Sequence, residues 1–140
     1  MRKQVTTAQI RQHSYNGYKE KGMNKVGTRQ IETGKIIGNI SVVQVREDIG
    51  EALIGYCMSR EYWGHEYMPE ALKAVIDYLF DVAGMNRVVA SHDVNNPKSG
   101  RVMQKAGMKY EGTLRQAGHN MQGIVDLCYY SVIKSDREQQ

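Results

Sequence analysis

The chain has 140 residues, of which 41% are hydrophobic and 24% are charged, with two cysteines and two prolines. This length and composition are typical of one globular domain with its own core, so we expect a single domain over residues 1–140. No apolar run reaches the roughly 18 residues of a membrane span, and Met1–Gln4 is not followed by the apolar segment of a signal peptide. We therefore expect a soluble, cytoplasmic protein without a membrane partner.

The net charge of +4 is concentrated near the N-terminus, where residues 1–25 carry six Lys or Arg and one Glu. A basic segment on a neutral domain is usually a solvated face, and no platform of stacking aromatics accompanies it, so nucleic-acid binding is not favoured. Cys57 and Cys128 lack metal-ligand spacing, as do the four histidines, so no metal is predicted. We expect both cysteines to be small core residues in a reducing compartment.

In chain order, residues 6–19 form a weak helix candidate that is polar almost all round. The segments Val26–Ile31 and Ile36–Arg46 flank the turn Glu32–Lys35, and together they predict a hairpin. A third strand is predicted over Ala52–Ser59.

A helix is well signalled from Pro69, since proline is favoured at the first helical position and Glu70 suits the positive end of the helix dipole. Gly84 is expected just after its end. The apolar residues recur at the spacing of one helix face: Leu72, Val75, Ile76, Leu79 and Phe80.

The second half begins with a short apolar strand, Val88–His92, and a helix, Lys98–Ala106, capped by Asn96. The remaining predicted segments are the strands Lys109–Arg115 and Ile124–Ile133, the loop 116–123 between them and a polar tail over 135–140. The predicted fold class is α/β (α+β mixed), with one mixed sheet and two well-signalled helices.

The unit with chemical potential is the strand, turn and helix between Ile54 and Phe80. A strand that leads through a glycine-containing turn into a helix directs backbone N–H groups to the open helix N-terminus, which can bind a phosphate or pyrophosphate. The spacing alone is also compatible with a plain β–α connection. Serine-hydrolase, Walker A and zinc motifs are absent from the sequence.

Five segments occur in an order that identifies a family: Ile54–Tyr56, Tyr62–Leu72, Asn96–Ser99 through Lys105–Met108, Glu111–Arg115 and Gly123–Ile133. Together they resemble the GNAT N-acetyltransferases, specifically the RimJ/RimL type, over about residues 24–134. The resemblance implies the GNAT acyl-CoA N-acyltransferase fold, with a mixed, mostly antiparallel sheet and helices on both faces.

The resemblance further implies transfer of an acetyl group from acetyl-CoA, a co-substrate used without a metal, to a primary amine. That amine could be the N-terminus of a protein, such as a ribosomal protein, or a small amine. The third strand would bind the pantetheine arm, and the turn after it the pyrophosphate. The implied cofactor-binding residues are Cys57, Met58, Ser59, Trp63, Gly64, His65, Glu66, Tyr67, Met68, Asn96 and Ser99.

Ser99 matches a family serine near the thioester sulfur, where it would give a proton to the leaving thiolate; its alternative role is to support the helix start. Met103 stands where many members have a tyrosine acid, and Gly118 where an acidic base is expected. His119 and His92 are the substitute candidates for that base, although either could be an ordinary surface histidine.

Glu66 stands where the family usually has glycine, and its carboxylate would repel a pyrophosphate. A second hypothesis is therefore a catalytically impaired or inactive, truncated GNAT module that binds CoA weakly or associates with a partner. Compared with the family, we expect this sequence to lack the first strand and the first helix. Residues 1–23 would then form a basic segment with part of a helix. Val26–Ile31 would then be an exposed sheet edge that invites a homodimer.

Overall fold

A computed structural model describes residues 5–9, 24–30 and 35–138 of the protein. The strands are β1 (Val5–Gln9), β2 (Asn24–Gln30), β3 (Ile36–Arg46), β4 (Glu51–Met58), β5 (Arg87–Asp93), β6 (Lys109–Asn120) and β7 (Gly123–Ile133). The helices are α1 (Tyr67–Asp81), α2 (Pro97–Lys105) and α3 (Lys134–Glu138), with a short 3-10 helix at Arg60–Tyr62. The strands form one sheet in the order β1-β2-β3-β4-β5-β7-β6.

Neighbouring strands of this sheet are antiparallel except β4 and β5. These two run parallel, because α1 carries the chain back between them. They pair only through residues 51–54 and 87–90, and β4 continues to Met58 beyond this pairing. The prediction of a mixed, mostly antiparallel sheet is confirmed.

The N-terminal part differs from the sequence prediction. Thr6–Gln9 belong to β1, so the helix predicted over 6–19 is wrong there, while residues 10–19 and 31–34 lie outside the described part. Strand β1 thus precedes β2, and every residue of β1 pairs with a residue of β2. Because β2 has a partner on both sides, the edge predicted at Val26–Ile31 is wrong for the described residues 26–30, and the homodimer inferred from it loses its basis.

The first long helix, α1, begins two residues before the predicted Pro69 and ends at Asp81. Gly84 follows with φ +73°, the left-handed conformation expected after a helix end. The predicted apolar face is confirmed, since these residues are buried: Leu72, Val75, Ile76, Leu79 and Phe80.

The two long helices share one face of the sheet. Buried side chains of both helices belong to one core cluster, which also includes Val88 and Ala90 of β5. Alternate residues of a strand point to the same face, so α1 and α2 pack on the face of these two residues.

Helix α2 lies so close to β5 and β7 that it requires a glycine at the contact. A Cβ on Gly100 would lie 2.7 Å from His92 Nε2 and 3.0 Å from the Tyr130 hydroxyl. His92 is 9% exposed, and its Nδ1 lies 2.7 Å from the Asp93 carbonyl oxygen. A carbonyl only accepts hydrogen bonds, so Nδ1 carries the hydrogen and the ring is held in place.

The hairpin of β6 and β7 is longer than predicted. β6 extends to Asn120, so most of the loop predicted over 116–123 is strand. The register shifts before Gly118, where Gln116 adopts φ +51°. The backbone N–H of Gln116 donates to Asp126 Oδ1 at 2.8 Å, which stabilises this irregular conformation.

The tail predicted over 135–140 is helical as far as Glu138. Arg137 of α3 donates to Asp81 Oδ1 at 2.7 Å and to Asp77 Oδ1 at 3.0 Å, both in α1. The hydrogen bond from Arg137 lowers the pKa of the Asp81 carboxyl below its ordinary value. These contacts attach α3 to the polar side of α1.

Both cysteines are free thiols. Cys128 is half-buried against the core, whereas Cys57 is exposed and accepts a hydrogen bond from Asn39 Nδ2 at 3.2 Å. The prediction that both are core residues is therefore wrong for Cys57. Within the described part of the chain, no helix has the length and apolar character needed to cross a bilayer, and no cluster of His, Cys, Asp or Glu is arranged for a metal.

Arg87 connects three strands at the end of the sheet. Its Nε donates to Glu51 Oε2 at 2.8 Å, and its Nη1 donates to Glu111 Oε2 at 3.0 Å. The hydrogen bond from Arg87 lowers the pKa of Glu111 below its ordinary value of 4.5. The ionised carboxylate is thus favoured by the folded state.

The Gly100→Ala substitution tests the close approach of α2. We expect the free energy of unfolding to fall by about 1–2 kcal/mol, because the overpacking cost exceeds the gain in helix propensity. Urea unfolding measures this change. Gly55→Ala is the matched control, since a Cβ there meets only Val43 Cγ2 at 3.4 Å. Equal effects of the two substitutions would contradict the assigned contact.

The Glu111→Gln substitution tests the Arg87 cluster. We expect a loss of up to about 1 kcal/mol at neutral pH, since a partly exposed pair is screened by solvent. The folded-state pKa of Glu111 is depressed, so its contribution is present above pH 4.5 and is lost as pH falls through the folded value. Urea unfolding from pH 6 to pH 3 should therefore show wild type and variant converging. Glu61→Gln, outside the cluster, should show no such trend.

Candidate active site

The site begins where β4 separates from β5. On its other side, β4 stays paired with β3, and the Ser59 N–H donates to the Ile37 carbonyl oxygen at 2.9 Å. Backbone groups of successive residues point to opposite sides of a strand. The N–H and C=O groups of Tyr56 and Met58 therefore face the gap, whereas those of Cys57 and Ser59 face β3.

A cleft of about 580 Å³ occupies this gap, between the end of β4, the start of α1 and one side of α2. Its wall combines aromatic rings, small polar groups and long cationic side chains. The lining residues are Tyr56, Cys57, Met58, Tyr62, Trp63, Gly64, Glu66, Tyr67, Met68, Pro69, Asn96, Lys98, Ser99, Arg101, Val102 and Lys105.

The turn before α1 has two residues in the left-handed conformation. Gly64 has φ +83°, and Glu66, at the N-cap of α1, has φ +64° and ψ +13°. Glycine adopts this conformation at no steric cost, whereas a residue with a Cβ is strained there. The helix N-terminus that follows carries a partial positive charge and favours an anion.

The Glu66 carboxylate does not cap α1 but reaches across the cleft to α2. Lys105 Nζ donates to Glu66 Oε1 at 2.5 Å, and both side chains are 53% exposed. Lys98 and Arg101 line the same side of α2 as Lys105. Of the residues that the structure describes, three cations and one carboxylate line the cleft, and their summed charge is positive even with the ion pair formed.

A pair of hydroxyl groups connects the two walls at the strand end of the cleft. The Tyr56 hydroxyl lies 2.8 Å from Ser99 Oγ and donates to the Ser99 carbonyl oxygen at 2.9 Å. Burial raises the pKa of Tyr56 to about 12, and the hydrogen bond to Ser99 lowers it only in part. The phenol is therefore protonated at neutral pH.

Trp63 forms an aromatic surface beside the cleft. Its indole N–H donates to the Met58 carbonyl oxygen at 2.9 Å, which fixes the ring to the end of β4. The Arg60 guanidinium and the Lys98 ammonium lie 5.5 and 5.8 Å from the ring centre. Because Trp63 is 50% exposed, the surface can be reached by a ligand.

Most of the cofactor-binding residues predicted from the sequence line this cleft, but Ser59 and His65 do not. The backbone of Ser59 is paired with β3, and the His65 ring is stacked on Tyr67 with centroids 5.3 Å apart. Ser99 lines the cleft at the third position of α2.

The two histidines considered as bases lie outside the cleft lining. His92 is buried beneath Gly100, and His119 is exposed on β6 opposite Ile124. Met103 is 1% exposed in the core, so it does not face the cleft either.

Sequence reasoning missed Tyr56 and the cationic side of α2. Lys98, Arg101 and Lys105 follow the spacing of one helix face, and this periodicity could have identified them. Tyr56 could have been found from strand alternation, which gives it the same face as Met58. The other lining residues not predicted are Tyr62, Pro69 and Val102.

Comparison with known proteins identifies a family for this chain. The sequence matches the family described as acetyltransferase (GNAT) domain over residues 2–109. The uncharacterized N-acetyltransferase YoaA of Bacillus subtilis (strain 168) is 30% identical over 117 residues, covering 84% of this chain and 66% of that protein. The putative ribosomal N-acetyltransferase YdaF of the same organism is 31% identical over 117 residues, covering 83% and 63%. The chain thus spans just under two thirds of these relatives.

Among solved structures, a chimera of the spermidine N-acetyltransferase SpeG from Vibrio cholerae and hSSAT has a TM-score of 0.83. It covers 99% of this chain and 100% of its own, at 13% sequence identity, so the likeness concerns the fold. The family match covers residues 2–109, which is most of the chain. This chain therefore belongs to the GNAT acetyltransferase domain family.

Proposed function

We propose that this chain binds acetyl-CoA in the cleft between β4 and α2 and transfers its acetyl group to a primary amine. The separation of β4 from β5 after Ile54 carries this proposal. It leaves backbone donors and acceptors without a neighbouring strand, and an extended arm with amide groups can pair with them. The family membership of the chain supports the same activity.

The cleft offers a suitable group for each part of this ligand. The backbone of Tyr56 and Met58 would pair with the pantetheine arm. The turn from Gly64 to Met68 and the N-terminus of α1 would bind the pyrophosphate. Lys98 and Arg101 would neutralise phosphate charge from the other wall, with Asn96 beside them.

The chemistry needs mainly positioning and polarisation. A neutral amine attacks the thioester carbonyl, whose developing oxyanion would accept a hydrogen bond from a β4 backbone N–H. Ser99 would donate its hydroxyl hydrogen to the leaving sulfur. Among the described residues, the cleft lining contains no histidine, so the amine proton would leave through water rather than through His92 or His119.

The acceptor is proposed only as an amine, either a protein N-terminus or a small amine. The name of the relative YdaF, a putative ribosomal N-acetyltransferase, supports a protein acceptor. The free thiols of Cys57 and Cys128 agree with a cytoplasmic location, which is reducing.

One observation favours a second candidate, a module that binds CoA weakly without turnover. The backbone of Glu66 is in a strained left-handed conformation. Its carboxylate is negatively charged, as the pyrophosphate of the ligand is, and it already forms an ion pair with Lys105. A pyrophosphate at this turn would have to displace or tolerate that carboxylate.

Calorimetric titration with acetyl-CoA tests the proposed function. We expect a dissociation constant on the order of 10 μM for wild type and about fivefold weaker binding for Lys98→Ala, because one phosphate-neutralising charge is lost. Lys109→Ala is the matched control, because Lys109 forms an ion pair with Asp136 outside the cleft. We expect this variant to bind acetyl-CoA as tightly as wild type. Absence of binding at about 1 mM acetyl-CoA would contradict the proposed enzymatic function.

Substitutions at Glu66 separate charge from backbone strain. We expect Glu66→Gly to tighten acetyl-CoA binding severalfold, since it removes both the repulsion and the Cβ. Glu66→Gln removes only the charge, so the ratio of the two affinities isolates the contribution of the backbone. Calorimetry with both variants measures this ratio. Weaker binding by Glu66→Gly would instead mean that the carboxylate assists the ligand.

A further inference from the structure

The proposed function gives a role to the hydroxyl of Ser99 but none to the hydroxyl of Tyr56, which lies next to it in the cleft. A carbonyl oxygen only accepts, so the bond at 2.9 Å uses the single Tyr56 O–H hydrogen. The contact at 2.8 Å between the two hydroxyl oxygens then requires Ser99 to be the donor. In this arrangement Ser99 offers the cleft only lone pairs, and a leaving sulfur needs a hydrogen.

A second arrangement is available without movement of any heavy atom. The Tyr56 O–H turns from the Ser99 carbonyl oxygen to Ser99 Oγ, and the Ser99 O–H is released toward the cleft. Both oxygens are already within hydrogen-bond distance, at 2.9 and 2.8 Å. A chain of two hydroxyls is a stronger donor than one, because each bond polarises the next.

We propose that Tyr56 is the positioning residue for Ser99, turning the Ser99 hydroxyl into a hydrogen-bond donor toward the leaving sulfur of the thioester. This inference rests on the proposed acetyl transfer. As the C–S bond breaks, its electron pair remains on sulfur. Sulfur takes the Ser99 hydrogen, Ser99 takes that of Tyr56, and the phenolate recovers a proton from water in the open cleft. The proton lost by the attacking amine goes to water, so protons balance over one turnover.

The position of Tyr56 suits this role. Its backbone is held opposite Ile40 of β3, while its side chain reaches α2 across the gap. Burial raises the pKa of the phenol to about 12, so it is protonated between turnovers and recovers its proton readily. Helix α2 offers no tyrosine of its own at Met103, which is buried.

The test compares single-turnover acetyl transfer in wild type, Tyr56→Phe, Ser99→Ala and the double variant, with acetyl-CoA affinity measured by calorimetry. We expect Tyr56→Phe to slow transfer on the order of tenfold while the dissociation constant stays within about twofold. The double variant should be no slower than Ser99→Ala, because both substitutions break the same chain of hydrogen bonds. Tyr78→Phe, at an exposed tyrosine of α1 outside the cleft lining, is the matched control for loss of a ring hydroxyl.

The outcomes distinguish this inference from the proposed function. A wild-type chain that transfers no acetyl group overturns both. An active wild type with Tyr56→Phe within twofold of its rate, or with multiplicative effects in the double variant, overturns the positioning role alone. If Tyr56→Phe fails to fold, the test depends on Ser99→Ala. Acetyl transfer at the wild-type rate in Ser99→Ala would also overturn the positioning role of Tyr56, because Ser99 would then not be the donor to the sulfur. A purely structural role would weaken acetyl-CoA binding rather than slow transfer.

Discussion

The molecule depends on the early separation of two parallel strands. β4 pairs with β5 only over residues 51–54, while its other edge remains bound to β3 as far as Ser59. A buried strand edge without partners is costly, so the open part of β4 must be exposed to solvent, covered or used by a ligand. The cleft, its aromatic wall and the cationic side of α2 are all arranged around this free edge.

The two walls of the cleft touch at opposite ends through different chemistry. At the strand end, two neutral hydroxyls meet within the protein, and the partly buried Tyr56 favours short, directional hydrogen bonds. At the outer end, Glu66 and Lys105 meet in solvent, where an ion pair contributes little to stability and exchanges easily. The inner contact therefore fixes geometry, whereas the outer contact is the one that a charged ligand can replace.

Sequence reasoning predicted what local patterns determine. The face of α1 from Leu72 to Phe80, the strand after it and the turn residues of the cleft all follow from periodicity, helix caps and the family resemblance. It did not predict β1, because Val5–Gln9 becomes a strand only through pairing with β2. Nor could it show which β4 residues face the gap, since that depends on the register with β3, or that Glu66 would reach Lys105, 39 residues away.

The short pairing between β4 and β5 also governs how the sheet can deform. On one side lie β1 to β4, on the other β5 to β7, and the backbone ladder between these halves ends at Ile54 and Ala90. Rotation of one half against the other would sacrifice few hydrogen bonds, and its main effect would be a change in the width of the cleft. Among the described strand pairs, the ladder with the fewest paired residues is thus the one that borders the cleft.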